Sequence, residues 1–76
     1  MNEGEIYMLT PKQVSSLLNI HPATVIKFIH EGLLDAVNLT PGRKHGTYRI
    51  STKEIQRVTG MLVVEEHGDF RLESLS

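Results

Sequence analysis

A chain of 76 residues, 39% hydrophobic and 5% aromatic, has room for one thin core and for no large catalytic cavity. Cysteine is absent, which excludes a disulfide framework and a thiolate metal site; the acidic start lacks the pattern of a signal peptide and no segment is long enough to span a bilayer, so a soluble, cytoplasmic chain is expected. The net charge of -1 is unevenly spread: residues 10–58 hold seven Lys and Arg against Glu31, Asp35 and Glu54, and the flanks carry the remaining acid, a distribution compatible with phosphate contact on one face.

Thr10 offers an N-cap hydroxyl, Pro11 follows at the first helical position, where no amide donor is needed, and Gln13 completes a capping box. Val14, Leu17 and Leu18 then form one apolar stripe, and Asn19-Ile20-His21 breaks the helix before the next proline. A second helix opens on Pro22, with His21 a weak cap, and stops at Gly32, a residue free to take positive φ. Two short helices with almost no linker, and Ile20 turned inward between them, have the outline of a helix-turn-helix. At 100° per residue Val25, Ile26, Phe28 and Ile29 share one arc of the second helix, and Ala23, Thr24, Lys27, His30 and Glu31 share the other, with Lys27 at its middle. Ala23 is small enough to let the helix start approach a groove closely, and Thr24 has a hydroxyl for a phosphate or a base edge. On its own, this arc reads more readily as the solvated face of a short amphipathic helix.

After Gly32 the period changes. Residues 33–39 read as an extended segment and 47–50 as a second strand, joined by a loop in which Pro41, Gly42 and Gly46 mark a turn. Arg43, Lys44 and His45 sit at its tip, and three basic-capable residues in succession weigh against an ordinary soluble loop; the planar fork of arginine suits both phosphate and a narrow minor groove. Partial charge on His45 near neutral pH would let DNA affinity fall slightly as pH rises. A third helix is expected from a second capping box, Ser51 with Glu54, through Ile55 and Val58 as core contacts, to Gly60. Among Arg49, Lys53 and Arg57, Arg49 ranks first as a contact to the same backbone as the loop. Finally, 61–66 and 70–75 flank His67-Gly68-Asp69 as a β-hairpin that needs a partner to be stable, and packing within the chain is favoured over pairing with a second copy. The whole is read as one α+β domain over 1–76: a small winged helix-turn-helix core over 10–58, with three helices and a two-stranded wing, followed by a C-terminal hairpin over 61–75.

These residues resemble the excisionase-like branch of the MerR-type winged helix-turn-helix proteins. The resemblance runs from about Leu9 to about Val58 and is carried by Leu9-Thr10-Pro11 with Val14 and Leu18, by Ala23-Thr24-Val25, by the Glu31-Gly32-Leu33 corner, and by Tyr48-Arg49-Ile50-Ser51 with Ile55. It implies a second helix in the major groove and a hairpin wing on the flanking phosphates or minor groove. Carried over by position, Ala23, Thr24 and Lys27 become recognition-helix contacts, and Arg43, Lys44 and His45 become wing contacts. The chain departs from the family where His21-Pro22-Ala23 replaces the usual polar cap and basic residue.

No catalysis and no cofactor are expected. The four histidines, His21, His30, His45 and His67, lack metal-ligand spacing, and no nucleophile motif or phosphate-binding glycine loop is present. The expected partner is double-stranded DNA, bound by an architectural factor of site-specific recombination or by a small transcription regulator, with recombinase or transcription machinery as further partners. Resemblance to excisionases implies cooperative self-association on repeated sites. The competing expectation is a winged-helix adaptor that contacts a protein through its acidic C-terminal hairpin, since a fold does not fix a function.

Overall fold

The computed structural model describes residues 5–43 and 46–74. In chain order these form β1 (Met8–Leu9), α1 (Pro11–Leu18), α2 (Pro22–His30), β2 (Val37–Asn38), β3 (Tyr48–Ser51), α3 (Thr52–Thr59), β4 (Met61–Glu66) and β5 (Asp69–Ser74). Three helices with small antiparallel sheets make an α+β domain with the winged helix-turn-helix arrangement.

The helix boundaries follow from their capping chemistry. At α1 the Gln13 amide donates to the Thr10 hydroxyl at 3.1 Å and the Thr10 amide donates to the Gln13 side chain at 2.8 Å, a reciprocal box. Asn19 takes the left-handed conformation at φ 58°. That turn lets the Ile20 amide donate to the Ser15 carbonyl at 2.9 Å, satisfying carbonyls the helix leaves open. At α2 His21 does cap the helix, its Nδ1 accepting from the Ala23 amide at 3.0 Å. Gly32, at φ +78°, closes the other end, with the Leu33 amide donating to the Phe28 carbonyl at 2.9 Å. The second capping box does not form as expected: the Ser51 hydroxyl accepts from the Lys53 amide, while the Glu54 carboxylate accepts from the Asp35 amide at 2.9 Å and pairs with Arg57.

The wing is a three-stranded sheet in the order β1-β3-β2, with Met8 opposite Ser51, Leu9 opposite Ile50, Val37 opposite Arg49 and Asn38 opposite Tyr48. Two expectations are corrected here. The wing gains β1, and the extended segment expected over 33–39 shrinks to two residues because Leu34 turns into the core at 3% exposed and Asp35 is tied to Glu54. The core is one residue deep from each direction: Leu9, Val14, Val25, Leu34, Ile50 and Ile55 are buried together. Val58, expected among them, is 47% exposed. The inward stripe of α3 runs through buried Thr52 and Ile55 to Thr59, whose hydroxyl donates to the Ile55 carbonyl, and Val58 falls beside that stripe.

Strands β4 and β5 pair from Met61 opposite Ser74 to Glu66 opposite Asp69. His67 and Gly68 both take positive φ in the two-residue turn, the conformation that matches the strand twist. The hairpin is a separate sheet that does not extend the wing. It lays Val63, Phe70 and Leu72 against the core, and the Phe70 ring meets the Tyr7 ring edge-on at 5.4 Å.

Candidate nucleic-acid interface

Helix α2 presents Ala23, Lys27 and His30 to solvent, with Thr24 partly buried at the border of that arc. The start of α2 has no free amide to offer a phosphate. Pro22 lacks one, the Ala23 amide is held by the His21 ring, and the Thr24 and Val25 amides donate to the His21 carbonyl at 2.9 and 3.3 Å. What the exposed arc of this helix offers a ligand is therefore side chains alone, the Lys27 ammonium and the Thr24 hydroxyl among them. Among the described residues, the salt bridges join Arg57 to Glu54 and Arg71 to Glu66 and Glu73, so no carboxylate there neutralises Lys27 or Arg43.

The wing is fixed at its base and cationic toward its tip. The Thr40 amide donates to the Asn38 side chain at 3.0 Å, the Thr47 amide to the Thr40 hydroxyl at 2.9 Å and the Leu39 amide to the Thr47 carbonyl at 2.7 Å. Beyond that ladder Gly42 turns at φ +88° and Arg43 is exposed. Lys44 and His45, the other two expected wing contacts, lie outside the described residues.

A contact that sequence reasoning missed joins wing to helix. His30 Nε2 lies 3.2 Å from the Tyr48 hydroxyl, and the two rings meet edge-on with centroids 6.0 Å apart. Tyr48 is two residues before buried Ile50 and so shares its sheet face, which is the face turned toward the helices. That alternation was the available signal. Gly46 sits against the same ring: a β-carbon there would lie 2.9 Å from Tyr48 Cζ and 3.0 Å from the Asn38 side-chain amide.

Arg49 is not brought together with the others. Strand alternation puts it on the opposite face from Tyr48 and Ile50, paired with Val37, and its Nη1 donates to the Tyr48 carbonyl at 2.9 Å. It lines a groove with Met8, Val37 and Lys53, away from Lys27.

Among the described residues no group of three or more His, Asp or Glu side chains could hold a metal ion, and no helix is long and apolar enough to cross a membrane. A family model described as a helix-turn-helix domain matches residues 8–58, more than half of the chain. No curated protein and no solved structure matches the chain.

Proposed function

We propose double-stranded DNA as the ligand, and the premise is that this chain belongs to the helix-turn-helix domain family. Helix α2 enters the major groove, Ala23 permits close approach of its first turn, Thr24 reaches a phosphate or base edge, and Lys27 supplies the central cation. The wing follows the flanking backbone or minor groove through Arg43, with Lys44 and His45 next in the chain. The observation that carries this reading is the His30–Tyr48 contact, which couples the exposed arc of α2 to the wing strand so that helix and wing act on one duplex. Arg49 faces away and is left outside the proposed DNA surface.

The physiological role in this proposal is that of an excisionase-like architectural factor or small transcription regulator. A single domain with one helix and one wing makes few phosphate contacts, so its affinity alone is weak and salt-sensitive. Occupancy then depends on neighbours: cooperative self-association on repeated sites, or the recombinase or transcription machinery. Titration of the isotopically labelled chain with a short duplex tests the surface. Amide shifts concentrated in 22–31 and 40–48 support it, whereas shifts confined to the β4–β5 hairpin contradict it.

A further inference from the structure

Four large hydrophobic side chains stay exposed around the wing sheet: Ile6, Met8, Val37 and Leu39, each about half accessible. Met8 and Val37 are paired with Ser51 and Arg49, which alternate with buried Ile50, so both point to the sheet face turned away from the helices. Ile6 and Leu39 stand two residues beyond them along the same two edge segments. The register sets Ile6 and Leu39 at opposite ends of β3, beyond Ser51 and beside Thr47, so these two are scattered singly and need no explanation; Met8 and Val37 flank the middle of the strand and line one groove.

This face holds a groove of about 460 Å³ whose floor is Met8, Ala36 and Val37 and whose rim carries Arg49, Lys53 and Arg57. The rim charges do not cancel. Glu54 closes on Arg57 and on the Asp35 amide, leaving Arg49 and Lys53 against the single carboxylate of Asp35. The Arg49 fork is oriented by a backbone carbonyl, a contact that steers its charge without neutralising it. DNA does not suit such a site, because a phosphate backbone gains nothing from an apolar floor. A second copy of this chain does not suit it either. Its acidic hairpin carries Leu62 and Val64 on its outer face, but the carboxylates beside them, Glu66 and Glu73, are already paired with Arg71, while Val63, Phe70 and Leu72 are committed to its own core.

We propose that this face docks an acidic segment of a partner protein, with apolar side chains entering the Met8–Ala36–Val37 floor and carboxylates meeting Arg49 and Lys53. The inference goes beyond DNA binding and leaves α2 and the wing tip free, so DNA and the partner are held at once on opposite faces. It also gives Arg49 a role that its direction in the fold favours over phosphate contact.

The test uses the full chain and a fluorescent peptide in which Leu and Phe alternate with Asp and Glu, read by anisotropy at low salt. The peptide is expected to bind saturably, and an analogue with Ser at the apolar positions to bind at least about tenfold more weakly, the scale of one or two lost apolar contacts. Val37→Ser and Lys53→Ala each weaken peptide binding while duplex affinity and thermal midpoint hold; Arg49→Ala weakens peptide binding. No saturable binding, or equal binding of the Ser analogue, overturns the proposal. So does a loss of duplex rather than peptide affinity in Arg49→Ala. Sedimentation showing a dimer that Val37→Ser dissolves would make the occupant a second copy, and would equally overturn it. A chain that binds peptide as expected but no duplex would sink the DNA reading alone.

Discussion

His30 and Tyr48 bridge the last turn of α2 and the wing strand, with Nε2 3.2 Å from the phenol hydroxyl. The contact ties the wing to α2, and in the proposed DNA complex that spacing has to match the groove spacing of a duplex. Tyr48→Phe removes the hydroxyl and keeps the ring packing, so the fold should survive with little change in thermal midpoint. The contact is exposed and adds little to stability, but re-ordering the released wing on a duplex costs up to about 1 kcal/mol, which lowers duplex affinity by up to about fivefold. Anisotropy titration alongside thermal denaturation separates the two effects.

Gly46 is constrained by space, since an added β-carbon would meet the Tyr48 ring at 2.9 Å and the Asn38 amide at 3.0 Å. Neither neighbour yields freely: Tyr48 is held by His30, and the Asn38 side chain accepts the Thr40 amide. Gly46→Ala should therefore cost about 1 kcal/mol of stability by overpacking and displace the wing base. Urea denaturation reads the first consequence, and weaker duplex binding the second.

The reciprocal Thr10–Gln13 cap starts the helix that carries Val14 into the core. Thr10→Ala leaves the Gln13 amide without its hydroxyl acceptor and should destabilise the chain by about 1 kcal/mol. Thr10→Ser, which keeps the oxygen, should recover most of that loss in the same denaturation experiment.

Glu54 supplies a pH dependence with a defined sign. Arg57, and after it the Asp35 amide, hold its carboxyl below the ordinary value of 4.5 in the folded chain. Its contribution to stability is therefore complete above that ordinary value and is lost as pH falls through the lower folded value. Glu54→Gln should be less stable than the parent near neutral pH, and the difference should close in acid. Urea midpoints measured from pH 7 downward check it; a gap that widens in acid would show the sign to be wrong.

The helices were legible because their ends are written in local chemistry: Thr10, Pro11 and Gln13 at one start, Gly32 and Gly60 at two stops. The C-terminal hairpin was legible for a similar reason, in the His67-Gly68 turn between alternating strands. Strand β1 was not, because two residues carry no period and Met8–Leu9 is a strand only through pairing with Ser51 and Ile50. Val58 misled because i, i+3 spacing from Ile55 leaves the helix phase open, and that phase is set by β3 feeding directly into α3. At the candidate site, the exposed placement of Ala23, Lys27 and Arg43 followed from pattern. The His30–Tyr48 pair and the turned-away Arg49 required the sheet register, which no local signal fixes.

If α2 and the wing share one duplex, as proposed, the salt dependence of affinity must register both. Binding to a random duplex should weaken steeply as salt rises, because cations released from each contacted phosphate drive association. Lys27→Ala should lower the slope of log affinity against log salt by about one, and Arg43→Ala with Lys44→Ala by about two, one for each phosphate contact removed. Slopes that stay unchanged in both variants, or no duplex binding at low salt, would contradict the account.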